Sequence, residues 1–487
     1  MLTCRNPNCC VLLLHKALNH KELTLLNNKI IKEMKIFYKY SGFKKMKRFI
    51  TIFFVAIIFS YSATAQHYLL NAGPMLGYSE MKEVLIWVQT KNSAQVKIRY
   101  TNLKNNKDQH WTNTVVTQKE TAFTAHLFVD SVEPGNKYSY ELFINQELVK
   151  FEYPTYFQTQ VFWEHRTFPP DFRFATGSGA YFNEPLFDYV GEPYGGDYQI
   201  YNNIANKTPD FMLWLGDNVY LRGPDWNSKT GIFHRYTHDR ATPELQKLLR
   251  TVHNYAILDD HDFGPNDSDR SFWNKEQTLN AFQLFWANPS YGIGEAKGAI
   301  TFFQWADADF FLLDNRYNRT PNFLNEENKT MLGEEQLNWL KDALVYSKAT
   351  YKFVVMGGQF LTLATNFETY SNYGFANERQ DMINFIYQNN IKGVIFITGD
   401  RHHSEYNILK NTGKPTIFDI TVSPLTSSPA QTNSDINSLR IENSYIRERN
   451  FAIFEVSGKD ENRFLKFTFF NSDGVEIVSY SILNSDM

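Results

Sequence analysis

Aspartates recur just past short apolar runs in this chain, beside residues of the kinds that bind cations. Phe211-Met-Leu-Trp-Leu215 leads into Gly216-Asp217-Asn218-Val219-Tyr220. Tyr255-Ala-Ile-Leu258 leads into Asp259-Asp260-His261-Asp262, and Val394-Ile-Phe-Ile-Thr398 into Gly399-Asp400-Arg401-His402-His403. Carboxylates, imidazoles and phenolates are ligands for hard and borderline metal ions. Three carboxylates packed around His261 repel one another unless a cation is present, and such clusters mark functional sites. The chemistry this predicts is hydrolysis at a metal centre. Two cations a few ångströms apart clamp the attacking and leaving oxygens of an in-line displacement and lower the pKa of a water.

Each apolar run has the length and the β-branched or aromatic content of a buried strand. Ligands of an open α/β sheet sit just outside the carboxyl ends of its strands, so three strands would deliver these groups to one edge. From about Phe172 onward, strands alternate with helices, which implies a sheet covered by helices. Glu334 to Leu344 places Leu337, Leu340 and Leu344 on one helical face. A second helix is predicted from Asn377, with Gln380 completing a capping box and Met382, Ile383 and Ile386 as its buried stripe. Phe464–Phe470 and Val475–Leu483 are predicted strands that close the catalytic sheet system. Before this region, Val84–Thr90, Gln95–Tyr100, Thr121–Val129 and Tyr138–Ile144 read as short strands of a small β-sandwich. That module carries no clustered catalytic residue types and is expected to flank the enzyme as a separate domain over residues 66–165, with the catalytic domain over 166–487.

The 487 residues, 43% of them hydrophobic, suffice for one large or two ordinary domains, and 16% aromatics argue against disorder. A net charge of -3 without a long basic block gives no sign of nucleic acid as a partner. Met46-Lys47-Arg48, the apolar Phe49–Phe59 and Ala63-Thr64-Ala65 form the three-part layout of a signal peptide over 46–65. Residues 1–45 then read as an upstream extension from a wrongly chosen start codon. The expectation is a secreted or periplasmic protein with no stable membrane anchor after cleavage. All three cysteines, Cys4, Cys9 and Cys10, precede the predicted cleavage point, so the mature protein would have no disulfide and no thiolate ligand.

Together these motifs resemble the PhoD-like alkaline phosphatases, a branch of the calcineurin-like metallophosphatases. The matching features are Gly216-Asp217-x-x-Tyr220, Asp259-Asp260-His261-Asp262 with Phe263-Gly-Pro-Asn-Asp-Ser268, Leu313-Asp314-x-Arg316, Leu332–Leu340, Gly399-Asp400-x-His402 and the opening Gly73–Gly77. The resemblance implies an α/β fold, with a metallophosphatase-type β-sandwich core flanked by helices after the small all-β domain. It also implies a two-metal phosphoesterase, typically iron(III) with calcium, acting on small-molecule or polymeric phosphate esters through a bridging hydroxide. Asp217 would bridge the ions. Tyr220 and His402 would complete the coordination of the first ion, and Asp260, Gln359 and Asp400 would hold the second ion. Asn266 would be an oxygen ligand or phosphate contact. His261 would protonate the leaving oxygen or hold the phosphate, and Arg316 or Arg401 would stabilise the equatorial oxygens.

One position departs from the family. Gly179, in Thr176-Gly-Ser-Gly-Ala180, stands where the family carries an iron-ligating cysteine. Water or Ser178 fills the gap, or a different metal is preferred, or the chain is an impaired relative that binds phosphate or a polymer without turnover. The bland readings are also specific. Arg316 pairs structurally with Asp314, Gln359 is a plain loop amide, and His403 lies outside the ligand set. His234 and His238, four apart, form a solvated face, and Phe282, Phe285 and Trp286 are core. Ser423–Pro429 is a loop after a strand.

Overall fold

The apolar runs that carry the aspartates are strands Phe211–Leu215, His253–Ile257 and Val394–Thr398, with every residue buried. The computed structural model describes residues 67–364, 367–431, 437–459 and 462–487. The predicted signal segment and upstream extension lie outside the described residues. Residues 66–487 form one unit by their internal contacts.

Two sheets face each other across the core. The larger has nine strands, in the order Glu476–Leu483, Phe464–Asn471, Asn450–Ser457, Phe172–Gly177, Phe211–Leu215, His253–Ile257, Leu70–Ser79, Val84–Thr90 and Thr124–Val129. The second has six, in the order Thr301–Trp305, Ala308–Leu312, Tyr351–Met356, Val394–Thr398, Ile417–Thr421 and Glu405–Leu409. Each sheet is parallel at its centre and antiparallel at its margins. Parallel neighbours need long crossovers. Helices Gln199–Asn206, Glu334–Tyr346 and Ala376–Gln388 lie in three of them. Between the sheets, Phe174 stacks on Phe211 and Phe454 at 5.0 and 4.7 Å and meets Phe310 and Phe353 edge-on, both at 5.4 Å. The edge-on contacts set positive ring edges against negative faces, which fixes how the two layers sit together.

The N-terminal β module is a sandwich, but its second layer is shared. Leu70–Ser79, Val84–Thr90 and Thr124–Val129 continue the nine-stranded sheet, and Leu76 pairs in parallel with His253. A separate sheet built on Gln95–Asn102 and Lys137–Ile144 packs over them, with Val96, Ile98, Tyr100 and Leu142 against Leu76, Val84 and Ile86. The burial patterns record the difference. Gln95–Asn102 alternates, whereas Val84–Thr90 is buried throughout because both of its faces are covered.

Helix Ala376–Gln388 buries Met382, Ile383 and Ile386 as expected, but it starts one residue early and has no capping box. Its first turn is fixed by tertiary bonds instead. Glu378 accepts from the Met331 N–H at 2.9 Å, and Arg379 donates to the carbonyls of Phe360 and Leu361 at 2.6 and 2.9 Å. In helix Glu334–Tyr346, Leu340 and Leu344 are buried with Gln336, while Leu337 is only partly covered. Phe282, Phe285 and Trp286 are core.

Candidate functional site

The parallel strands of both sheets end at one edge, and the predicted residues follow those ends. Asp217, Asp400 and His402 hold left-handed backbone, at φ 51°, 65° and 53°. For residues with a Cβ this costs on the order of 1–3 kcal/mol each and persists only where surrounding structure enforces it, most often at functional sites. Asp217, His261, Asn266, Asp400, Arg401 and His402 all line one pocket of about 340 Å³, with Tyr194, Phe367 and Tyr445 among its other walls.

Two groups of potential ligand atoms lie within 4.8 Å of one another: Asp217, Asp260 and His261 in one, Asp259, Asp260 and Asp400 in the other. Asp260 belongs to both, and it joins Asp267 and Glu368 in a third. Tyr220 and His402 close the first group. The Tyr220 hydroxyl donates to Asp217 Oδ2 at 3.1 Å and lies 3.1 Å from His402 Nε2. On the other ring nitrogen, the Tyr194 hydroxyl lies 3.1 Å from His402 Nδ1. With Nδ1 donating to Tyr194, Nε2 turns its lone pair toward Tyr220, which is how a second hydrogen bond orients a ligating imidazole.

The carboxylates are poised for cations. Asp217 Oδ1, Asp259 Oδ2 and Asp260 Oδ1 are buried and have no hydrogen-bond partner. Leaving such oxygens unpaired costs several kcal/mol in order of magnitude. Burial pushes the Asp217 carboxyl well above its usual range, with Asp260 and Asp259 adding repulsion, and burial with Asp259 does the same to Asp400. Burial raises Asp260 too, but His261, Arg316 and the Asp267 N–H outweigh it and hold this group low. Burial lowers His402 to about 4, aided by repulsion from His261, so the ring is neutral and can ligate. Carboxylate oxygens without partners, one phenol and neutral imidazoles fit a pair of hard or borderline cations.

Other predicted residues have different partners. Gln359 is buried outside the pocket wall, and its amide donates to Glu405 at 2.7 Å and Thr421 at 2.9 Å. Arg316 does not pair its side chain with Asp314. Asp314 instead accepts from the Arg316 backbone N–H at 2.8 Å. The Arg316 guanidinium bonds Asp259 through Nε, reaches Glu368 at 2.7 Å and lies 3.8 Å from Asp260. It is buried under the carboxylates and outside the pocket lining, while Arg401 lines the pocket with its guanidinium 3.8 Å over Phe367. Asp262 faces away from the cluster. It accepts from the N–H groups of Asn218, Val219 and Asp259 at 3.1, 3.3 and 2.9 Å, tying two strand-end loops together. His403 is buried, with Nδ1 3.0 Å from the Arg401 carbonyl. His234 and His238 pair with Glu184 and Asp239 at 3.0 and 2.7 Å.

The sequence reading missed Tyr194, Glu368 and also Ser427, whose Oγ lies 3.4 Å from His402 Nε2. The first two lie in loops with no strand-end signal. Ser427 had one, because Ser423–Pro429 follows strand Ile417–Thr421 just as Asp400 follows Val394–Thr398.

A two-sheet core with this donor set at its strand ends defines a metallophosphatase-type architecture, and comparison with known proteins agrees. The family model described as PhoD-like phosphatase matches residues 174–474, and the chain belongs to that family. A model described as a domain of unknown function (DUF7800) matches residues 67–162. The chain is 24% identical over 352 residues to alkaline phosphatase D of Bacillus subtilis (strain 168), a match covering 61% of this chain and 57% of that protein's length. Among solved structures, that of PhoD superposes with a TM-score of 0.70 at 18% identity, covering 87% of this chain and 92% of the other. Purple acid phosphatase PPD1 from yellow lupin (Lupinus luteus) seeds gives 0.61 at 13% identity, covering 84% and 74%. These two likenesses concern the fold.

Proposed function

We propose that this protein is a metal-dependent phosphoesterase that hydrolyses phosphomonoesters, phosphodiesters or both. The observation that carries the reading is the pair of ligand clusters sharing Asp260, with three partnerless buried oxygens, beside one pocket. Asp217, Asp260, Tyr220 and His402 would hold one ion, and Asp259, Asp260 and Asp400 the other, so that Asp260 takes the shared place expected for Asp217, with iron(III) and calcium as the pairing the family resemblance implies. When bound, the ions supply positive charge that lowers the pKa of a water and neutralises phosphate oxygens.

The chain's own residues do the rest. Burial lowers the His261 imidazole against the pull of Asp260, and its ring offers an N–H to a phosphate or leaving oxygen at the pocket wall. Arg401, set over Phe367, offers cationic donors on the same wall. Arg316 keeps Asp259 and Glu368 charged and in place, so its role is to position the ligands. Export through the segment at 46–65 belongs to the same proposal. No helix among the described residues is long and apolar enough to cross a membrane.

The test is turnover of aryl phosphomonoesters and diesters by protein purified without chelators and supplied with divalent and ferric ions. The reading predicts phosphate or alcohol release by the wild type and a loss of about 10³-fold or more in Asp260→Asn, the scale of losing a ligand shared by both ions. Equal rates in the two proteins would refute it. Phosphate binding without turnover would favour the impaired-relative reading that Gly179 raises.

A further inference from the structure

Ser427 is fully buried beneath the first ligand group. Its backbone is held on both sides. The Ser427 N–H donates to the Gly179 carbonyl at 3.0 Å, and its own carbonyl accepts from Arg449 Nε at 3.1 Å. The side chain therefore has little freedom. Its Oγ lies 3.4 Å from His402 Nε2, the nitrogen that also faces the Tyr220 hydroxyl at 3.1 Å. Those two groups stand beside Asp217, whose Oδ1 has no partner.

Gly179 explains why there is room for this hydroxyl. Its φ is +73°, a conformation that favours glycine. A Cβ built there would come within 2.7 Å of Ser427 Oγ and 3.2 Å of Pro424 Cβ. A side chain at position 179 and the Ser427 hydroxyl compete for one space. Ser178, the other local candidate, is turned away, with its Oγ donating to the Val422 carbonyl at 3.2 Å.

We propose that Ser427 is a metal-ligating residue, its Oγ serving as a further donor to the ion held by Asp217, Asp260, Tyr220 and His402. The inference rests on the two-ion reading above and deepens it. A neutral hydroxyl adds an oxygen donor without adding negative charge, so the site prefers hard or borderline ions over soft ones.

Cobalt(II) is a suitable probe because its spectrum reports its ligands directly. The full chain is stripped of metal and titrated with cobalt(II), as wild type, Ser427→Ala and Ser427→Cys, with circular dichroism confirming the fold of each. Ser427→Ala should bind one of two equivalents about tenfold or more weakly, the usual cost of disturbing a metal shell, and keep the other unchanged. Ser427→Cys should show a near-ultraviolet sulfur-to-cobalt charge-transfer band that saturates with one equivalent. Gly179→Cys should bind with such a band only when Ser427→Ala is also present. A wild-type isotherm in Ser427→Ala, or no sulfur band in folded Ser427→Cys, overturns the Ser427 assignment and leaves the two-ion reading standing. Failure of the wild type itself to bind cobalt overturns both.

Discussion

The Tyr220 hydroxyl lies midway between Asp217 Oδ2 and His402 Nε2, 3.1 Å from each. It thereby joins the end of strand Phe211–Leu215 in one sheet to the end of Val394–Thr398 in the other. Tyr220→Phe keeps the ring, its packing against Tyr181 and its tilted contact with the His261 ring at 4.2 Å, but removes the joining oxygen. Affinity for one metal ion should fall by about 10–100-fold while the folded state is kept. Competition against a metallochromic indicator measures this, and an unchanged affinity would remove Tyr220 from the site.

Arg316 is enclosed by carboxylates, bonded to Asp259 and 2.7 Å from Glu368. Arg316→Met leaves Asp259 and Glu368 buried with less compensation. The metal-free protein should lose about 3–5 kcal/mol of stability in urea denaturation, the usual cost of removing one partner of a buried ion pair. Arg316→Lys keeps the charge but not the planar fork, and should recover only part of the loss.

Asp262 serves the backbone. Three N–H groups point at its two oxygens, so Asp262→Asn sets an amide NH2 against at least one N–H donor. The expected cost is about 1–3 kcal/mol of stability. Thermal melts of metal-free and metal-loaded protein should show it equally, since Asp262 bridges loops and does not face the cluster.

The pH dependence follows from the raised carboxyls. Burial lifts Asp259 to about 6, against the pull of Arg316, and Asp262 to about 8, while Asp217 and Asp400 also stand well above the carboxylate range. The folded protein binds more protons than the unfolded chain between the usual carboxylate pKa and these values, so metal-free stability falls as pH rises through that window. Asp260, held low, has the opposite sign, and its contribution is lost only in strong acid. The metal-free melting temperature should therefore drop from pH 5 to pH 8, and the rise produced by added metal should grow over the same interval. A metal-free melting temperature that climbs toward pH 8 would contradict this.

Much of the site was legible because one rule applies to it. Asp217, Asp260, Asp400 and His402 each follow an apolar strand, and the parallel strands of both sheets end at the same edge. Gln359 follows a strand as well, Tyr351–Met356, yet its amide turns to Glu405 and Thr421. Strand-end position brings a residue to the edge but does not set the direction of its side chain. Arg316 was misread for a related reason. Its nearness to Asp314 in sequence is satisfied by a backbone bond, and its guanidinium takes partners from Asp259 and Glu368, which only the fold brings close. The N-terminal module was legible as a β-sandwich from the alternation in Gln95–Asn102. The near-continuous apolar run in Val84–Val88 was the sign that this strand is covered on both faces and belongs to two layers.

The central claim is that two cations are held in adjoining cages with Asp260 common to both. Equilibrium dialysis of chelator-free protein, followed by elemental analysis, tests it most directly. The account predicts two ions per wild-type chain and a joint loss of affinity for both in Asp260→Asn. A wild type that retains no stoichiometric metal, or an Asp260→Asn protein that still holds two ions as tightly, would contradict it.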